Sequence, residues 1–137
     1  MEKKPYVFLK VLLWLVALYH IAGGIAATFS QQFALQLGYM LFGVNISITP
    51  ETQVLVRYLG AFAVTFGLLM VFAALDPAKN RKIVYGGIAY FLIRAFDRVV
   101  FWKVISECSA GPLPNWGRIA LILFFGIALF VLRPKSE

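Results

Sequence analysis

The 137-residue chain contains one cysteine, one histidine and only six acidic residues. The single Cys108 excludes an intramolecular disulfide and any thiolate cluster, leaving an intermolecular bridge or a free thiol. A zinc site needs three or four Cys, His or acidic ligands, which a lone His20 among arginines does not supply. One histidine can hold a haem iron from one side, but neither a second axial ligand nor a cysteine attachment motif accompanies it. No serine, histidine and carboxylate set can be assigned, because Ser30, Ser47, Ser106 and Ser109 fall in external or interfacial stretches. Gly23-Gly24, Gly60, Gly67, Gly86-Gly87, Gly117 and Gly126 lack the flanking pattern and following Lys of a phosphate-binding loop; they imply close helix packing instead. No cofactor and no metal are predicted.

Apolar sequence is abundant. Hydrophobic residues make up 61% of the chain, and four tracts of about membrane length, 6–27, 54–75, 83–104 and 116–132, hold most of them. A water-soluble domain of this size has no need for so much apolar surface, and no room remains for a separate soluble catalytic domain. The expected fold is one all-α domain over residues 1–137, an integral membrane antiparallel four-helix bundle. Phe29, Phe33, Leu37 and Leu41 recur at helical spacing between Gln31, Gln32 and Gln36, which predicts an external amphipathic helix that caps the bundle or acts as a lid. The first tract runs on through Ala27, as a retained signal anchor would rather than a cleaved signal peptide.

The formal charge is +7, but no basic run with interleaved aromatics remains once the tract flanks are set aside, so nucleic acid is not an expected partner. Lys3, Lys4 and Lys10 precede the first tract, Lys79, Arg81 and Lys82 separate the second and third, and Arg133 and Lys135 follow the fourth. No Lys or Arg falls between Thr28 and Gln53, so both termini are expected on the cytoplasmic side. Asp76-Pro77-Ala78-Lys79-Asn80 predicts a tight turn joining antiparallel neighbours, and Gly111-Pro112-Leu113-Pro114-Asn115 a helix-breaking loop with Trp116 at the interface. Asn45-Ile46-Ser47 formally matches a glycosylation acceptor, which has meaning only in a eukaryotic secretory setting.

The third tract carries Arg94, Asp97 and Arg98 in its interior, where charge is expensive unless it faces a polar interior and finds partners. Their spacing of three and four lets Asp97 accept from either arginine. His20 on the first tract and Arg57 on the second reach comparable depth, so a polar layer with a positive excess is expected, suited to a lipid or a small polar or anionic ligand. Tyr19, Tyr58 and Tyr90 can add hydroxyls or ring surface, and Glu107 and Arg118 can form a rim. A blander reading stands beside this one: His20 as a packing residue, Arg57 and Arg118 reaching towards headgroups, and Arg94 with Asp97 as a structural pair.

Arg57-Tyr58-Leu59-Gly60, Gly67, Asp76-Pro77 and the polar third tract with Arg94, Asp97 and Arg98 resemble small bacterial four-span proteins of the DoxX-like grouping, including uncharacterised BphX-like members. The resemblance covers most of the chain in topology through short, degenerate motifs. It implies a bacterial cytoplasmic membrane location and, in some members, an accessory role beside quinone-linked oxidoreductases, but it transfers no catalytic residue. The absence of redox-metal and thiol motifs argues against independent oxidoreductase activity.

The expected function is small-molecule or lipid binding through Arg57, Arg94 and Arg98, with Asp97 fixing the arginines and His20 adding a hydrogen bond. A membrane protein partner or a homo-oligomer is compatible with it. The alternatives are a membrane enzyme using His20 or Asp97 for acid–base chemistry with arginines steadying an oxyanion, and a purely structural subunit with all charges paired. Four short spans leave a monomer little room for a transport path.

Overall fold

The computed structural model describes residues 6–43, 45, 47, 49–108 and 114–134. Lys3, Lys4, Ile46, Ser109, Lys135 and loop residues 111–113 lie outside the described residues, as do the side chains of Leu37 and Leu41. The regular structure among the described residues is helical: α1 (Val7–Phe29), α2 (Gln31–Leu37), a π-helical turn (Gly38–Phe42), α3 (Pro50–Leu75), α4 (Arg81–Val100), α5 (Trp102–Glu107) and α6 (Asn115–Leu132).

The simple four-span bundle expected from hydropathy is therefore corrected to six α-helices among the described residues. Three of them, α1, α3 and α6, are long and apolar enough to cross a membrane. The third tract fails for two physical reasons. Arg94, Asp97 and Arg98 interrupt its apolar composition, and the chain turns at Phe101 (φ −96°, ψ 30°), ending α4 and starting the separate α5 before the expected boundary at residue 104. The predicted amphipathic segment after α1 is a short α-helix followed by a π-helical turn rather than one continuous helix.

Local chemistry sets the helix ends. Ser30 leaves helical geometry (φ −132°, ψ 100°) while its N–H still donates to the carbonyl of Ala26, separating α1 from α2. α3 begins four residues before the tract at 54–75, because Thr49 and Thr52 close a capping box around Pro50. In the turn after α3, the Lys79 N–H donates to Asp76 Oδ1 over 3.1 Å, and Asn80 Nδ2 donates to the carbonyls of Phe72 and Asp76. These bonds cover the Phe72 carbonyl in the last turn of α3 and reverse the chain within a few residues.

Packing divides mainly into α1 against α3 and α4 against α6. The first pair is set by small residues: a Cβ on Gly24 would lie 2.6 Å from the Gly60 carbonyl oxygen, and one on Gly67 2.9 Å from that of Ala17. Backbones this close gain dispersion contacts that larger side chains would hold apart, the main source of helix association where lipid supplies no hydrophobic drive. Leu9, Leu13, Met70, Val84 and Leu129 fill the core. The exterior is apolar as well, with Phe8, Phe29, Phe62 and Val131 all more than two-thirds exposed. Such a surface is a liability in water and at rest in hydrocarbon.

Candidate functional site

α4 buries one stripe, Val84, Gly87, Ile88, Phe91, Ala95 and Arg98, whose intervals follow the helical repeat. The stripe is apolar until its last member, where a guanidinium enters the interior. Arg94 lies one turn earlier and is half-buried, whereas Asp97 is exposed. Adjacent helical positions diverge by about 100°, so burying Arg98 turns Asp97 outward. The expected pairing of Asp97 with the arginines is thus not seen among the described residues. Asp97 shares the exposed face with Ile93, Phe96 and Val100.

Arg98 reaches α6 instead. Its Nη1 donates to Oδ1 of Asn115 over 2.7 Å, with both residues buried. Arg118, one helical turn further along α6, is only 2% exposed, and Arg98 lies within electrostatic range of both Arg94 and Arg118. The Arg118 guanidinium packs directly against Gly43, whose positive φ of 68° and missing Cβ leave space that no other residue would. Gly43, at the end of the π-helical turn, is thereby seated on the polar layer.

A second chain of contacts enters from α1. His20 Nδ1 lies 2.8 Å from the Val16 carbonyl oxygen, which can only accept, so Nδ1 carries the proton. In the neutral ring Nε2 is then the acceptor for the Tyr90 hydroxyl, 3.3 Å away. Arg94 Nη1 donates to the same hydroxyl oxygen over 3.3 Å, and its guanidinium sits 5.5 Å from the Tyr90 ring centre. The run from Arg94 through Tyr90 to His20 therefore has one consistent donor direction. Phe66 and Tyr19 approach the imidazole edge-on at 4.7 and 4.9 Å between ring centres, and Phe66 also lies 4.2 Å from Tyr90.

Of the residues predicted for the layer, the structure gathers His20, Tyr90, Arg94, Arg98 and Arg118, with Tyr19 beside His20. Arg118 is a buried member rather than a rim residue. Arg57, Tyr58, Asp97 and Glu107 are exposed on other helix faces. The buried residues of α3 are Gly60, Gly67, Met70, Ala73 and Ala74, and Arg57 lies before the first of them. Asn115, Gly43 and Phe66 were not predicted as members. Asn115 gave a signal only as a polar residue at the edge of an apolar run.

The described side chains of the layer carry three positive charges and no negative one, so the layer suits groups that accept hydrogen bonds or carry negative charge. Its one imidazole already uses both nitrogens. Among the described residues no group of three His, Cys, Asp or Glu side chains comes together to hold a metal ion. A separate open cleft of about 430 Å³, lined by Tyr6, Lys10, Leu75, Asp76 and Pro77 among others, lies at the opposite end of the molecule, by the 76–80 turn.

The fold and site together define an all-α membrane-associated protein with charged and polar residues buried in its interior. The chain matches no protein-family model, no curated protein and no solved structure. The DoxX-like resemblance thus gains no support and carries no part of the functional argument.

Proposed function

We propose that the protein binds a small polar or anionic molecule, or a lipid headgroup, in the layer formed by α1, α4 and α6. The observation that carries this reading is the burial of Arg98, Arg118 and Asn115 together in the interior of a membrane-associated helical protein. Guanidinium groups removed from water and lipid are costly, and an anion among them offsets much of that cost. His20 and Tyr90 extend the layer as oriented hydrogen-bonding groups. The basic residues Lys79, Arg81 and Lys82 support a cytoplasmic side for the 76–80 turn, with the polar layer towards the other face of the membrane.

Mass spectrometry of gently purified protein tests the reading. A specific polar molecule is expected with the wild type and should be lost from Arg98→Gln. Wild-type protein that carries nothing beyond bulk lipid, and that no polar or anionic additive stabilises, would refute it.

A further inference from the structure

We infer that the protein self-associates through α3 and α4, with Asp97 of one copy paired to Arg57 of a second copy of the same chain. The inference does not depend on the binding role proposed above and assigns an interaction surface outside the polar layer.

The starting point is an acid on an apolar face. Asp97 is exposed between Ile93, Phe96 and Val100, and among the described residues it forms no hydrogen bond or ion pair. α4 packs along α6, which is apolar enough to cross a membrane, so in a single copy this face of α4 meets hydrocarbon. Charges at such positions almost always face protein and find a partner there. An aspartate side chain is too short to lift its carboxylate to the headgroups as lysine and arginine do, so the partner must come to it.

α3 holds the complement. Arg57 is exposed and also forms no hydrogen bond or ion pair among the described residues. At a rise of about 1.5 Å per residue, Arg57 stands about 27 Å above the end of α3 at Leu75, and Asp97 about 24 Å above the start of α4 at Arg81. Copies inserted with the same sidedness keep these levels, so α4 of one copy can lie antiparallel against α3 of another with carboxylate facing guanidinium. The match repeats down both helices. Ala61 and Ile93 stand at about 21 and 18 Å, Thr65 and Ala89 at about 15 and 12 Å, and all four are exposed. Each level sets a branched side chain against an alanine, a relief that lets membrane helices approach closely. The Thr65 hydroxyl donates to the Ala61 carbonyl of its own helix over 3.0 Å, so it needs no partner from the other copy. A second copy thus supplies both the cation that Asp97 calls for and an apolar surface of matching shape.

The test uses the full chain in phosphatidylcholine vesicles, with donor and acceptor dyes at the N-terminus so that energy transfer reads association as lipid is added. The wild type should associate, and Asp97→Arg and Arg57→Asp should each weaken self-association by roughly tenfold or more. Mixing those two variants restores opposite charges across the contact and only between copies, so the mixture should associate as the wild type does. A wild type that stays monomeric at every lipid ratio overturns the inference, as does association that survives either reversal or is not restored by mixing. If a reversal variant does not fold, cross-linking with the native charges decides. In a Cys108→Ser background, Ala61→Cys in one copy should form a disulfide with Ile93→Cys in another when oxidised with copper phenanthroline, and none with Phe124→Cys on the exposed face of α6. No disulfide between the first two, or equal yield for both pairs, overturns the assignment.

Discussion

Arg98 on α4 and Asn115 on α6 share a 2.7 Å hydrogen bond between two buried side chains. The bond joins helices whose partnership no local sequence pattern announces, and it fixes which way the Asn115 amide points. Removing one partner strands the other in a place where neither water nor lipid satisfies it.

A double-mutant cycle measures that dependence. Arg98→Met and Asn115→Leu should each destabilise the protein by about 1–3 kcal/mol, with the double variant closer to wild type than the sum of the two. Reversible unfolding in mixed micelles supplies the energies. Strict additivity would mean that the contact contributes no coupling.

Gly43 and Gly38 make a matched comparison in the segment between α2 and α3. Gly43→Ala puts a Cβ at φ 68° against the Arg118 guanidinium and should cost about 1–3 kcal/mol. A Cβ on Gly38 meets nothing within 4 Å, so Gly38→Ala should be neutral or stabilising by roughly 0.5–1 kcal/mol. Equal melting temperatures for the two variants would contradict the seating of Gly43 on the layer.

The α1–α3 contact makes a similar forecast. Gly24→Ala drives a Cβ to within 2.8 Å of the Val64 nitrogen as well as onto the Gly60 carbonyl, and separating the two helices should cost about 1–3 kcal/mol. Gly23→Ala enters open space and should gain roughly 0.5–1 kcal/mol from helix propensity alone. Neighbouring residues with opposite signs in one unfolding assay would locate the contact to a single face.

Tyr90→Phe keeps the ring against Phe66 and removes only the hydroxyl between His20 and Arg94. The expected loss is about 1–3 kcal/mol, because His20 Nε2 is left without its donor. Nitrogen-15 NMR of labelled histidine should report a neutral Nδ1–H tautomer in both proteins, since the Val16 carbonyl holds that proton. An Nε2–H tautomer in the wild type would reverse the donor direction inferred here.

The contrast between Arg98 and Asp97 shows where sequence reasoning stopped. Spacing placed Asp97 within reach of Arg94 and next to Arg98 in sequence, but spacing cannot say which side of α4 meets α6. The answer came from packing: Gly87 approaches Met70 and Leu129, and Phe91 stacks on Phe125. Those contacts carry Arg98 inward and leave Asp97 out. Arg57, expected in the layer, is exposed on α3: depth along a helix was legible in the sequence and rotation about its axis was not.

Composition and local chemistry by themselves determined a helical, membrane-suited chain with a tight turn at 76–80 and costly charges on α4. Hydropathy, capping and turn formation depend on neighbours in sequence, so they can be read without a fold. Tertiary structure alone decided that α4 breaks at Phe101, that Asn115 is the partner of Arg98, and that Arg118 lies under Gly43. Those outcomes depend on which helix faces approach closely enough to exclude everything but a glycine or a donor–acceptor pair, and that is settled by packing between segments distant in the chain.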